Sequence, residues 1–98
     1  MTVKTLRVLP QAHADLLEIW LYVAEDHPTA ADRLIDQFTA RFDALCRMPE
    51  LGPACPEIAD GLRRLPIGRY LLFYSVREDI LVVERVLHGA RDLKALFE

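Results

Sequence analysis

Two runs of helical periodicity, separated by little more than Asp26-His27-Pro28, constrain this chain more than any other feature. From Gln11 to Ala24 the apolar residues Ala12, Leu16, Ile19, Trp20 and Val23 recur at spacings of four, three, one and three. At about 100° per residue that gathers them on one face of an amphipathic helix. Pro10 suits its first turn, where a missing N–H costs nothing. Pro28 opens the second run, whose stripe is Ala31, Leu34, Ile35, Phe38, Phe42 and Leu45. Pro49 stops it after about five turns. Helices joined by so short a link fold back on each other as an antiparallel hairpin.

The surface that buries this hairpin comes from strands. Val3 to Leu9 is rich in branched residues and ends at Pro10, which reads as a strand. Glu50 to Asp60 holds Gly52, Pro53 and Pro56 and reads as a loop. Three strands follow, Leu62 to Leu65, Arg69 to Arg77 and Ile80 to Leu87, separated by Pro66-Ile67-Gly68 and by Glu78-Asp79. Links that short require antiparallel pairing. The tail from Ala90 to Phe97 could form a short C-terminal helical turn. The order β-α-α-β-β-β is that of an α+β domain, a helical hairpin packed on one face of a small, mainly antiparallel sheet.

With 98 residues there is room for one domain, residues 1–98. A composition of 52% hydrophobic and 28% charged residues fits a soluble globular chain. A domain this small buries a limited share of its surface and gains from a partner. No apolar run approaches the roughly 20 residues that span a bilayer. The N-terminus lacks the apolar core of a secretion signal, so cytoplasmic residence with no membrane partner is expected. Cys46 and Cys55 are expected to be reduced thiols there.

The net charge is −3, unevenly spread. Pro10 to Glu50 carries eight acids against three bases, whereas Gly61 to Tyr74 holds Arg63, Arg64 and Arg69 and no acid. An anionic partner should meet the protein in that second segment, although an acidic chain is a poor general nucleic-acid binder.

Several chemistries are excluded. His13, His27 and His88 stand apart, with no Cys or His at ligand spacing, so no metal site is expected. The four glycines form no phosphate-cradling loop, and no cofactor is expected. Ser75, the only serine, lies within a strand rather than on an exposed elbow. Neither cysteine has an activating histidine nearby in sequence.

Three segments together resemble the ParE branch of the RelE/ParE toxin superfamily. They are Ala14-Asp15-Leu16 through Ile19-Trp20, Tyr22 and Ala24-Glu25; Pro49-Glu50-Leu51-Gly52; and Gly68-Arg69-Tyr70 with Phe73-Tyr74, running to Arg85-Val86-Leu87-His88-Gly89-Ala90-Arg91-Asp92-Leu93. Each is short, but their order and separation over nearly the whole chain are specific. The resemblance implies a toxin held inactive by a cognate, ParD-like antitoxin. Such an antitoxin is commonly ribbon-helix-helix in its DNA-binding part, so operator DNA is reached only through it. ParE-like members are associated with poisoning DNA gyrase, and RelE-like members with cleaving mRNA in the ribosome. A third possibility is a non-toxic relic that retains antitoxin binding alone.

Cleavage of RNA needs a general base, a general acid and cations on the phosphate. RelE-like nucleases place several basic residues on the open sheet face, whereas the only lysines here, Lys4 and Lys94, lie outside the three C-terminal strands. Arg69, Arg85 and His88 remain candidates to clamp a phosphate and move a proton. This departure favours gyrase over mRNA as the target.

Each candidate has a plainer reading. Arg63 and Arg64 are adjacent on a strand and point to opposite faces, one toward a target or antitoxin and the other toward solvent or an acid. Arg69 and Arg85, amid apolar residues on neighbouring strands, need partners such as Glu84, Asp92 or a carbonyl. His88, before Gly89, suits a chain-turning hydrogen bond. Trp20, Phe38 and Phe42 are expected in the core. Leu17 and Leu21, with Ala14 and Ala24, form a second apolar stripe on the first helix. Either the second helix covers it or it is a patch for a partner or a second copy.

Overall fold

In the computed structural model, which describes residue 3 and residues 5–89, the hairpin forms as its periodicity requires. α1 runs Pro10–Ala24 and α2 Pro28–Arg47, each with proline in its first turn. Their apolar faces pack on a sheet of four strands: β1 (Thr5–Val8), β2 (Arg63–Ile67), β3 (Tyr70–Arg77) and β4 (Ile80–His88). A short 3-10 turn, Pro49–Leu51, follows α2. The helical turn expected from Ala90 to Phe97 lies outside the described residues.

Strand order across the sheet is β1-β4-β3-β2. β2, β3 and β4 pair antiparallel, as their short links demand, and β1 pairs parallel with β4. The sheet is therefore mixed, mainly antiparallel, and the fold class is α+β. β2 differs from expectation in taking in Pro66 and Ile67, with Arg69 left in the turn before β3. Proline is tolerated there because β2 is an edge strand and need not donate outward.

The main core lies between hairpin and sheet. Phe38, Phe42 and Leu45 of α2 and Ala12 of α1 meet Leu72, Tyr74, Leu81, Val83 and Val86 of the sheet, all buried. A smaller cluster occupies the opposite face, where Cys55 and Leu62, from the segment leading into β2, close over Phe73 and Leu87. That segment is pinned at Gly52, whose N–H donates to Tyr74 Oη at 2.9 Å while Tyr74 Oη donates to Pro49 O at 2.6 Å. A Cβ at Gly52 would lie 2.6 Å from Arg64 O and 2.8 Å from Tyr74 Oη, so only glycine fits. Cys46 and Cys55 are both free, and burial pushes each thiol up.

Phe38 and Phe42 fill the core, but Trp20 does not. It is half-buried at the helix–helix seam, and its indole N–H donates to Asp32 Oδ1 of α2 at 2.9 Å. The buried line of α1 is instead Ala12 and Asp15, with Leu16 and Ile19 packed beside it. The expected stripe of Ala12, Leu16, Ile19, Trp20 and Val23 thus faces inward, with Trp20 at its edge rather than in the core.

Candidate functional site

A carboxylate in the middle of a buried helix face needs an explanation. β1 pairs with β4 only as far as Val8 opposite Val83, so beyond that point β4 has no strand neighbour on that side. α1 takes the place of the strand. Asp15 Oδ2 accepts the Val86 N–H at 3.0 Å, a bond that a longer β1 would otherwise make.

The same carboxylate holds Arg85. Arg85 Nε donates to Asp15 Oδ2 at 2.8 Å and Nη2 to Oδ1 at 3.0 Å, a bidentate pair. A bulge makes this possible. Phe73 faces Arg85 and Tyr74 faces Val83, leaving Glu84 without a cross-strand partner in β3. Such an extra residue re-aims the side chains beside it. Asp15 is 6% exposed and Arg85 16%, so the pair is largely desolvated. The hydrogen bonds that Arg85 donates to Asp15 hold the guanidinium pKa above its ordinary value, with burial opposing them.

Arg85 therefore has its structural partner, which is Asp15, far away in sequence, rather than the neighbouring Glu84; Asp92 lies outside the described residues. A signal did exist. Asp15 falls at an inward position of α1, between Ala12 and Ile19, where an ionised group must meet a cation or several donors.

Above the pair, α1 and the ends of β3 and β4 enclose a cleft of about 300 Å³. Glu18, Ile19 and Tyr22 of α1 form one wall, and Arg69, Tyr70 and His88 the other. The ring of Tyr70 stands edge-on to His88 at 5.7 Å and edge-on to Phe38 at 5.7 Å, which ties the histidine's position to the core. Arg69, expected to be paired, is exposed in the two-residue turn from Gly68, where the positive φ of 58° suits glycine. Among the described residues Arg69 makes no ion pair or side-chain hydrogen bond. Its separation from the apolar strand interior removes the need for one.

The three residues expected to clamp phosphate and move a proton are thus divided. Arg69 and His88 share the cleft, while Arg85 is committed to Asp15 beneath it. Arg63 is also committed, its Nη1 donating to Gly52 O at 2.7 Å, and it braces the Pro49–Gly52 turn. Arg64 faces the other side of the sheet, opposite Phe73. Leu17 and Leu21 are 59% and 56% exposed, so α2 does not cover them. Tyr22, beside them, is 76% exposed and carries the apolar surface to the rim of the cleft. No group of three or more His, Cys, Asp or Glu side chains able to hold a metal occurs among the described residues. None of their helices is long and apolar enough to cross a membrane.

Comparison with known proteins gives one answer at two levels. The profile described as the ParE toxin of the type II toxin–antitoxin system, parDE, matches residues 6–93. Toxin ParE1 of Mycobacterium tuberculosis is 35% identical over 86 residues, covering 86% of this chain and 88% of that protein. Toxin RelE3 of Caulobacter vibrioides is 29% identical over 90 residues, covering 88% and 95%. Among solved structures, the chromosomal ParDE system of P. aeruginosa superposes with a TM-score of 0.76 at 18% identity, covering 88% of this chain and 96% of that one. The RelBE2 toxin–antitoxin complex of M. tuberculosis superposes with a TM-score of 0.63 at 26% identity, covering 93% and 97%.

Proposed function

Because the chain belongs to the ParE toxin family of type II toxin–antitoxin systems, we propose that it is a toxin that arrests growth in the cytoplasm by inhibiting DNA gyrase. A cognate ParD-like antitoxin, with a ribbon-helix-helix DNA-binding part, holds it inactive and is its only route to operator DNA. The exposed surface of Leu17, Leu21 and Tyr22, continuous with the cleft that carries Arg69, is the contact region this reading assigns to protein partners. Arg63 and Arg64 border a second region, with Arg63 acting through the turn it braces.

The observation that carries gyrase over mRNA is the commitment of Arg85. A ribonuclease site must direct cations at the phosphate and a proton carrier at the leaving group. Here the guanidinium nearest to the Arg69–His88 cleft along β4 is neutralised by a buried carboxylate. A protein that works by binding has no such chemical requirement.

Expression without the antitoxin should arrest growth and induce the DNA-damage response, and co-expression should relieve both. Purified chain should inhibit supercoiling by gyrase and leave mRNA on translating ribosomes uncut, and His88→Ala should remain toxic. Ribosome-dependent mRNA cuts that disappear in His88→Ala would overturn the choice of target in favour of an endonuclease. A harmless chain at confirmed expression levels would leave a relic whose role is antitoxin binding.

A further inference from the structure

The two faces of the sheet are covered by different means. On the helix side, α1 and α2 bring Ala12, Phe38, Phe42 and Leu45 onto the strands and add the Asp15–Arg85 pair. On the opposite face, residues 55–62 bring Cys55 and Leu62, both buried, with Ile58 and Ala59 packed beside them. Their seat is small and apolar, made by Phe73, Leu87 and Leu71.

The segment is closed on itself. Cys55 N–H and Sγ–H both donate to Leu62 O, at 2.9 and 3.4 Å. Ile58 N–H donates to Cys55 O at 3.1 Å, and Leu62 N–H donates to Ala59 O at 3.2 Å. Among the described residues, no hydrogen bond or ion pair ties residues 55–62 to another part of the chain. A compact loop whose ends are bonded together can therefore leave its seat without breaking a polar contact to its neighbours.

The flanks, by contrast, are fixed. Gly52 is held by Tyr74 Oη and Arg63 Nη1. Pro53 O accepts the Arg64 N–H at 3.1 Å, and Ala54 bridges to Arg63. From Arg63 onward, β2 is paired with β3. Movement is thus confined to the joints after Ala54 and before Arg63, so the helix–sheet core need not move with it. Segments held by few buried apolar contacts open locally, at a free energy below that of global unfolding.

We propose that residues 55–62 form a hinged cap on the sheet face opposite the helices, which lifts as one unit while the helix–sheet core stays folded and carries Cys55 from its buried seat into solvent.

Cys55 is a built-in reporter, because it is 1% exposed when the cap is closed. The test is alkylation of the free full chain with iodoacetamide, read at Cys55 by mass spectrometry and referred to the rate in the urea-unfolded chain. Without urea, the opening constant at Cys55 should exceed the global unfolding constant from urea melts by at least about tenfold. Alkylation should also rise less steeply with urea than global unfolding does, since lifting a cap exposes little surface. Phe42→Leu, which loosens the core under the helices, should raise the global unfolding constant about tenfold and leave the Cys55 rate within about twofold. A Cys55 rate that matches the global constant, follows its urea slope and rises with Phe42→Leu overturns the cap and makes residues 55–62 part of one cooperative fold. If Phe42→Leu does not fold, the urea slope of the wild-type chain decides alone.

Discussion

The two faces of α1 invert the usual distribution of polarity. The inward face buries a carboxylate, Asp15, while the outward face exposes Leu17 and Leu21. Both departures answer to something outside the helix. Asp15 completes a sheet whose first strand stops short, and it neutralises a guanidinium that a bulge delivers to it. The leucines have no such partner among the described residues. A buried polar group that is fully satisfied is part of the fold, whereas an exposed apolar stripe beside a cleft is a surface for something else.

The largest effect should come from breaking the inward face. Asp15→Ala leaves Arg85 and the Val86 N–H unpaired in a desolvated setting, and should cost about 3–5 kcal/mol in urea unfolding. For a domain of this size that approaches the total stability. A double substitution, Asp15→Leu with Arg85→Met, removes both charges and should recover much of the loss. A single variant of near wild-type stability would show that the pair is not structural, and Arg85 would return to the list of groups available for chemistry.

Tyr74 sharpens the comparison with a buried group that is neutral. Tyr74→Phe strips the Gly52 N–H and the Pro49 carbonyl of their partner and should cost about 1–3 kcal/mol. Burial raises the phenol pKa above its ordinary value, so the native state favours the neutral form. That contribution is fully present below the unfolded pKa, near 10, and is lost as pH rises through the raised native value. The wild-type melting temperature should therefore fall more steeply than that of Tyr74→Phe at alkaline pH, and parallel pH profiles would contradict the assignment.

Trp20 lies between the two faces. Trp20→Phe keeps an aromatic ring at the helix seam and removes the hydrogen bond to Asp32, an exposed contact, so a loss of about 1 kcal/mol or less is expected. A loss of several kcal/mol would place Trp20 in the core after all.

The smallest effect on stability belongs to the outward face. Leu17→Glu with Leu21→Glu should change the stability of the isolated chain by no more than about 0.5 kcal/mol, the usual range for exposed positions. The same variant should lose antitoxin affinity or protection from toxicity. Circular dichroism and size-exclusion chromatography distinguish the outcomes. An unfolded variant would mean that α2 covers the stripe, and unchanged assembly would mean that no partner uses it.

What the sequence by itself determined is the set of elements and their neighbours in the chain. Proline at positions 10, 28 and 49 punctuates two helices whose apolar spacing survives in the structure. Two short links make β2, β3 and β4 antiparallel, and the buried stripe of α2, with Phe38, Phe42 and Leu45, follows its periodicity directly. These features are local, encoded within a few residues of where they appear. The register of α1 was less legible, because Leu16, Leu17, Trp20 and Leu21 give it apolar residues on more than one face. Tertiary structure decided which face turned inward. The parallel pairing of β1, the bulge at Glu84, the marriage of Asp15 to Arg85 across the length of the chain, and the separation of Arg85 from Arg69 and His88 all depend on where β1 stops against β4. No spacing rule encodes that point, since it is set by which unpaired backbone groups and buried charges the packed elements leave to be satisfied.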